Sequence, residues 1–90
     1  MNESHVWVVE SGYAHSGTEE YIVFSDIHMA AITARRIAGQ GARSSDALPD
    51  DGVFERTIHL YWNGNHFVKL VQKTVVHSVR QWEDMKNGKK

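Results

Sequence analysis

The sequence has no cysteine and only one proline in its ninety residues. Without cysteine the chain has neither a disulfide nor a thiol nucleophile. It also has no apolar run approaching the roughly 18 residues of a membrane-spanning helix, and its first residues lack the basic and apolar regions of a signal peptide. We therefore expect a cytoplasmic protein without a membrane partner. Length and composition predict a single domain over residues 1–90, with a frayed tail over 86–90.

Catalytic and cofactor motifs are also lacking. The chain has six histidines, and no two of them stand at the i, i+3 or i+4 spacing of local metal-ligand pairs: His5, His15, His28, His59, His66 and His77. Ser44 or Ser45 could be combined with a histidine and an aspartate into a triad, but nothing in the sequence resembles the strained elbow that exposes a hydrolase nucleophile. The sequence therefore predicts no enzyme, no metal site and no cofactor.

Charge is balanced overall, with a formal net charge of −1, but it is unevenly distributed. Residues 1–55 carry nine acidic and three basic side chains, whereas residues 56–90 carry two acidic and seven basic ones. Such asymmetry indicates oppositely charged surfaces, one of which suits a charged partner. The alternative is that folding interleaves the two halves and cancels the asymmetry.

The stretch from Thr57 to His77 predicts a β-hairpin, because two runs of β-branched and aromatic residues flank Asn63-Gly64. A two-residue loop on Asn63-Gly64 is one possible register. A three-residue loop with Gly64 in the left-handed region is the other, and we favour it because it gives one clean aliphatic face. That face would hold Ile58, Leu60, His66, Val68 and Leu70. The other face would hold Thr57, His59, Tyr61, Phe67, Lys69, Val71 and Lys73.

The rest of the chain predicts two more strands and a helix. Residues 5–11 and 20–24 read as strands that are apolar on both faces, as in a sheet covered on both sides. A helix over residues 26–38 follows, with Ser25 as its N-cap. Residues 40–54 form the longest irregular segment, and a loop of this length in a small domain is either functional or disordered.

A short terminal helix is predicted after the hairpin, where Ser78 and Gln81 form a capping box and Val79 and Trp82 provide anchors. The resulting architecture is α+β: a two-layer β-β-α-β-β sandwich with a mainly antiparallel four-stranded sheet and a short C-terminal helix. One main helix cannot cover a sheet that is apolar on both faces. We expect the terminal helix, the long loop, a second copy or a partner to cover the remainder.

Two groups of side chains are candidates for binding. On the main helix, one stripe would face the sheet: Ile27, Ala30, Ala31, Ala34, Ile37 and Ala38. Met29, Ile32 and Arg36 recur on the opposite side, as a partner or homodimer contact would. On the hairpin, the face that we assign to His59, Tyr61, Phe67, Lys69 and Lys73 combines aromatic and basic side chains. Such a face can bind nucleic acid, since aromatic rings stack on bases and lysines pair with phosphates. The alternative is that Tyr61 and Phe67 are a cross-strand pair packed under the helix or at a subunit contact.

These features favour a non-enzymatic protein–protein interaction module. Its size and lack of motifs suggest a small phage or mobile-element inhibitor of a host complex, of the anti-defence or anti-CRISPR type. A nucleic-acid-binding module that uses the aromatic and basic sheet face is the alternative. Homodimerisation is compatible with both.

Overall fold

The computed structural model describes residues 4–46 and 54–87. In chain order, the elements are β1 (Ser4–Tyr13), β2 (Gly17–Phe24), α1 (Ile27–Ala38), β3 (Arg43–Asp46), β4 (Glu55–Asn63), β5 (His66–Val75) and α2 (Val79–Asn87). The strands form one sheet in the order β2-β1-β5-β4-β3, and all neighbours are antiparallel. The predicted α+β class and the antiparallel sheet are confirmed.

The core lies between α1 and one face of the sheet. Its buried members are small or branched aliphatic side chains: Val9, Ala30, Ala34, Ala38, Val68 and Leu70. The three alanines recur at every fourth residue, so they occupy one side of the helix and let its backbone approach the sheet closely. Local periodicity was sufficient to predict this contact, because the helix buries only one stripe.

The sheet has five strands where the sequence predicted four. The additional strand, β3, lies within the segment that we expected to be irregular, and it pairs with β4 from Arg43 opposite Trp62 to Asp46 opposite His59. Its sequence, RSSD, has no apolar alternation, so its strand conformation comes from backbone pairing with the edge of β4. Residues 47–53 of the expected loop lie outside the described residues.

The caps of the helices were predicted with mixed success. The N-cap of α1 is Asp26 and not Ser25: its carboxylate accepts a hydrogen bond from the His28 N–H at 2.7 Å. A carboxylate there also complements the positive end of the helix. The capping box predicted for α2 is confirmed in one half only, since the Gln81 side chain bonds His77 and not the N-cap Ser78. The Gln81 N–H donates to the Ser78 hydroxyl at 3.0 Å, and the Gln81 side-chain oxygen accepts from the His77 N–H at 2.7 Å.

The hairpin register differs from both alternatives that the sequence suggested. Asn63 pairs with His66, so the loop is the two-residue turn Gly64-Asn65, with Gly64 at φ 61°. An irregularity between Thr57 and His59 then shifts the register lower in the hairpin.

The observed register corrects the predicted faces of β4. Tyr61 lies opposite Val68 on the side of α1, and it packs against the buried cluster. Leu60 lies opposite Lys69 on the other side of the sheet. The predicted faces of β4 were wrong because cross-strand neighbours share a face. When the pairing of β4 with β5 shifts by one residue, every side chain of β4 moves to the opposite face of the sheet.

Gly12 is required by the backbone geometry of the β1–β2 hairpin. The pairing of the two strands shifts between Ser11 and Gly12. A Cβ atom at position 12 would lie 2.0 Å from the carbonyl oxygen of Gly17, which is closer than two non-bonded atoms can approach. The irregularity therefore depends on the absence of a side chain at this position.

Candidate docking surfaces

The outer stripe of α1 consists of Met29, Ile32 and Arg36, and all three side chains are exposed. Met29 is 56% and Ile32 44% exposed, whereas Ala30 and Ala34 on the opposite side of the helix are fully buried. The helical period places the stripe where the sequence predicted it. Met29 and Ile32 are thus two large apolar side chains exposed to solvent one helical turn apart. Beside the guanidinium group of Arg36, they form a small anchor for a partner.

The C-terminal end of this stripe is basic. The sequence of α1, IHMAAITARRIA, contains no acidic residue, and Arg35 and Arg36 lie in its last turn. These arginines complement the negative end of the helix, yet both remain exposed. Two further exposed apolar side chains lie on the same side of the sheet: Ile22, which pairs with Val9, and Ile27 at the start of α1.

The residues predicted to form a nucleic-acid face are divided between the two sides of the sheet. His59 and Tyr61 lie on the side of α1, with their ring centroids 4.7 Å apart. The His59 Nδ1 is 3.5 Å from a carboxylate oxygen of Asp46. Phe67, Lys69 and Lys73 lie on the opposite face, called the far face. The aromatic and basic groups are therefore not brought together as expected.

The lysines of the far face contact acidic side chains. The Lys69 Nζ lies 3.8 Å from Glu10, and the Lys73 Nζ lies 3.7 Å from Glu10 and 3.2 Å from Glu55. Glu10 is the least exposed of the four, with 16% of its side chain accessible. Here the acidic N-terminal half and the basic C-terminal half of the chain interleave. The far face consequently presents paired charges and not a basic patch.

Sequence reasoning missed the apolar groove on the far face. Its volume is about 480 Å³, and it is lined by Val6, Val8, Glu10, Thr18, Tyr21, Val23 and Lys73. Tyr21 and Val23 are 67% and 55% exposed because they belong to β2, an edge strand. The one sequence feature that could have indicated this groove was the apolar character of both faces of β2. Its position at the edge depends on pairing with β1, which the sequence left open.

Trp62 and Phe67 also lie on the far face, directly opposite each other on β4 and β5. Both are half-buried. Trp62 has thus taken the place that we had assigned to Tyr61, as the aromatic cross-strand neighbour of Phe67.

The terminal helix α2 does not cover the sheet as expected. No described strand or helix packs against it, and its predicted anchors, Val79 and Trp82, are 72% and 40% exposed. Within the helix, the Lys86 Nζ lies 4.3 Å from the centroid of a Trp82 ring, a cation–π contact. The last residues of the predicted tail, 88–90, lie outside the described residues.

Among residues 4–46 and 54–87, no three histidine or acidic side chains are placed to hold a metal ion. No helix in these two ranges is long and apolar enough to cross a membrane.

Compared with protein-family models, curated proteins and solved structures, the chain matches none of them.

Proposed function

We propose that the protein is a non-enzymatic protein–protein interaction module that docks through the outer stripe of α1. One observation carries the proposal: Met29 and Ile32 are exposed one turn apart, on the side of the helix that faces away from its own core. Scattered exposed apolar residues are common and need no function. Met29 and Ile32 differ from such scattered residues because they stand one turn apart on the same side of one helix.

The charges around the stripe specify the kind of partner. Arg35 and Arg36 border the apolar side chains, and α1 itself supplies no acid to pair with them. A complementary partner is a protein surface with an apolar centre and an acidic rim, because rim charges of opposite sign steer association and fix orientation. We propose this chemistry for the partner.

A finer proposal concerns the consequence of docking. We propose that the protein blocks a host complex, as a small phage or mobile-element inhibitor of the anti-defence or anti-CRISPR type does. Its support is the small size of the chain and the absence of catalytic motifs from its sequence. A protein of this kind acts by occupying a surface, so the activity of the captured partner, assayed with and without the protein, tests the proposal.

Nucleic-acid binding through the hairpin is the weaker alternative. It would require basic side chains free to contact phosphates next to stacked aromatic rings. Lys69 and Lys73 instead lie near Glu10 and Glu55, and Tyr61 packs under α1. These positions favour the protein partner.

The test compares capture by the wild-type chain and by the double variant Met29→Glu, Ile32→Lys. Both substituted side chains point to solvent, so circular dichroism and thermal stability should stay close to wild type. Capture of the partner from an extract of the producing cell should fall at least about thirtyfold, the loss expected when hot-spot anchors are removed.

The matched control introduces the same two charges elsewhere, at the exposed positions Gln40→Glu and Asn65→Lys. This control should capture the partner as well as the wild type does. Undiminished capture by the helix variant would show that the outer stripe is not the docking surface. Capture that disappears when the extract is treated with nuclease would support the nucleic-acid alternative.

A further inference from the structure

Two apolar surfaces besides the outer stripe lack a covering element among the described residues. One is the groove on the far face, in whose apolar lining Tyr21 and Val23 are exposed, Val6 is half-buried and Val8 is buried. The other is the apolar side of α2. Val79 and Trp82 are three residues apart there, and so project from the same side of the helix.

The length of α2 indicates that it is stabilised by packing. It has nine residues, whereas isolated helices shorter than about 12–15 residues are marginal in water. The capping box contributes to its stability, but it satisfies backbone groups at one end only. A helix of this length needs a surface that buries its apolar side.

The protein's dimensions are consistent with a helix that projects from the sheet. The Cα radius of gyration is 14.4 Å, with principal extents of 43 × 24 × 21 Å. A compact chain of ninety residues would have a radius of gyration of about 12 Å.

Contacts at the start of α2 tie it to the end of the sheet. The His77 ring nitrogen Nε2 lies 3.2 Å from the Ser4 hydroxyl at the beginning of β1, and the His77 N–H donates to the Gln81 side chain. Only three residues separate β5 from α2. This short connection restricts where α2 can pack on its own sheet, and no described strand packs against it.

We propose that α2 docks into the far-face groove of a second copy of the chain, and that the two copies exchange their helices reciprocally. The groove lies close to the end of the sheet from which α2 departs, since Val6 pairs with Lys73 and Ser4 pairs with Val75. A helix leaving one copy there reaches the groove of a two-fold-related copy without a long linker. Exchange of identical elements between copies is a common route to dimers.

The chemistry of the groove suits the apolar side of α2. The two charged residues in its lining, Glu10 and Lys73, pair with each other at 3.7 Å, so docking leaves neither charge without a partner. Trp82 supplies the large amphipathic anchor typical of interface hot spots. Reciprocal exchange covers Val79, Trp82, Tyr21 and Val23 in both copies, and thereby accounts for several of the large exposed apolar side chains.

This dimer is independent of the proposed partner interaction. The groove lies on the far face, whereas the outer stripe lies on α1 across the sheet and stays accessible in the exchanged dimer. A variant that cannot dimerise should therefore still capture the partner. Failure of one proposal leaves the other intact.

Analytical ultracentrifugation of the full chain tests the proposal. The wild type should sediment as a concentration-dependent dimer, and Trp82→Ala and Val23→Lys should each raise the dimer dissociation constant at least about thirtyfold. The backbone of α2 approaches no other described helix or strand, so replacing Trp82 should leave the monomer fold intact by circular dichroism. The control Asp84→Ala, on another side of α2, should dimerise like the wild type. A wild type that remains monomeric, or variants that dimerise normally, would overturn the proposal.

The absence of cysteine permits an unambiguous cross-linking test of the same contact. Two single-cysteine variants, Thr18→Cys at the groove and Val79→Cys on α2, should form a disulfide between chains when mixed and oxidised. Gln40→Cys, exposed and outside the groove, should not cross-link to Val79→Cys. If the two cysteines placed in one chain close within that chain at high dilution, α2 covers its own groove and the exchange is excluded.

Discussion

Replacing Leu70 and Leu60 separately with alanine distinguishes the observed hairpin register from the one expected from the sequence. In the structure, Leu70 is 3% exposed and belongs to the core under α1, whereas Leu60 is half-buried on the far face. The three-residue loop would have placed both leucines under the helix. The two substitutions remove the same atoms, so a difference in their cost reports the difference in surroundings.

The magnitudes follow from burial. Leu→Ala removes three carbon atoms, which are worth about 2.4 kcal/mol of transfer free energy at ~0.8 kcal/mol each. At Leu70 a cavity term is added, since α1 and β1 close the space, so the free energy of unfolding should fall by about 3–5 kcal/mol. At Leu60 solvent reaches the vacated space and part of the side chain was already exposed, so a loss of about 1–2 kcal/mol is expected.

Urea denaturation followed by far-ultraviolet circular dichroism measures both values at one protein concentration. A domain of this size has a total stability of roughly 5–13 kcal/mol, so Leu70→Ala should leave a marginal fold. Leu70→Val, expected to cost about 1 kcal/mol, provides a folded reference in the same cavity. Equal losses for the two alanine variants would refute the assignment of Leu60 to the far face.

Two further predictions concern local geometry. Gly12→Ala should destabilise the fold by about 1–3 kcal/mol or more, because the new Cβ would lie 2.0 Å from the Gly17 carbonyl oxygen. A loss of stability below about 0.5 kcal/mol in the same urea assay would contradict that contact. Removal of the two helix caps should have different consequences in the monomer. Asp26→Ala should lower the global free energy of unfolding by about 0.5–2 kcal/mol. Ser78→Ala should mainly increase hydrogen exchange within α2, since of the two helices in the described ranges α1 packs on the sheet and α2 does not. A matching global loss for Ser78→Ala would show that α2 is coupled to the monomer core.

The position of a candidate binding residue could be predicted from the sequence where it depends on a single helix or strand. The positions of Met29 and Ile32 follow from the 3.6-residue period of α1, which any packing of its alanine stripe preserves. The groove on the far face was not predictable, because it requires β2 to lie at the edge beside β1. The division of Tyr61 from Phe67 likewise arises from pairing across the hairpin and not from either strand alone.

Local interactions within the sequence determined where the elements form. The alanine spacing specified α1, Ser78 and Gln81 specified the start of α2, and the β-branched runs around Gly64 specified a hairpin. These signals depend on interactions within a few residues, so they do not depend on how the remainder of the chain packs.

Only the tertiary structure decided which residues those elements bury. The turn formed at Gly64-Asn65, which is neither the favoured three-residue loop nor the alternative turn on Asn63-Gly64, and the register changed again between Thr57 and His59. The polar segment of β3 became a strand by pairing with β4. A shift of one residue exchanges the two faces of a strand without altering its local propensity. The buried face was therefore selected by contacts between residues distant in sequence, such as Val9 with Leu70 and α1 with the sheet.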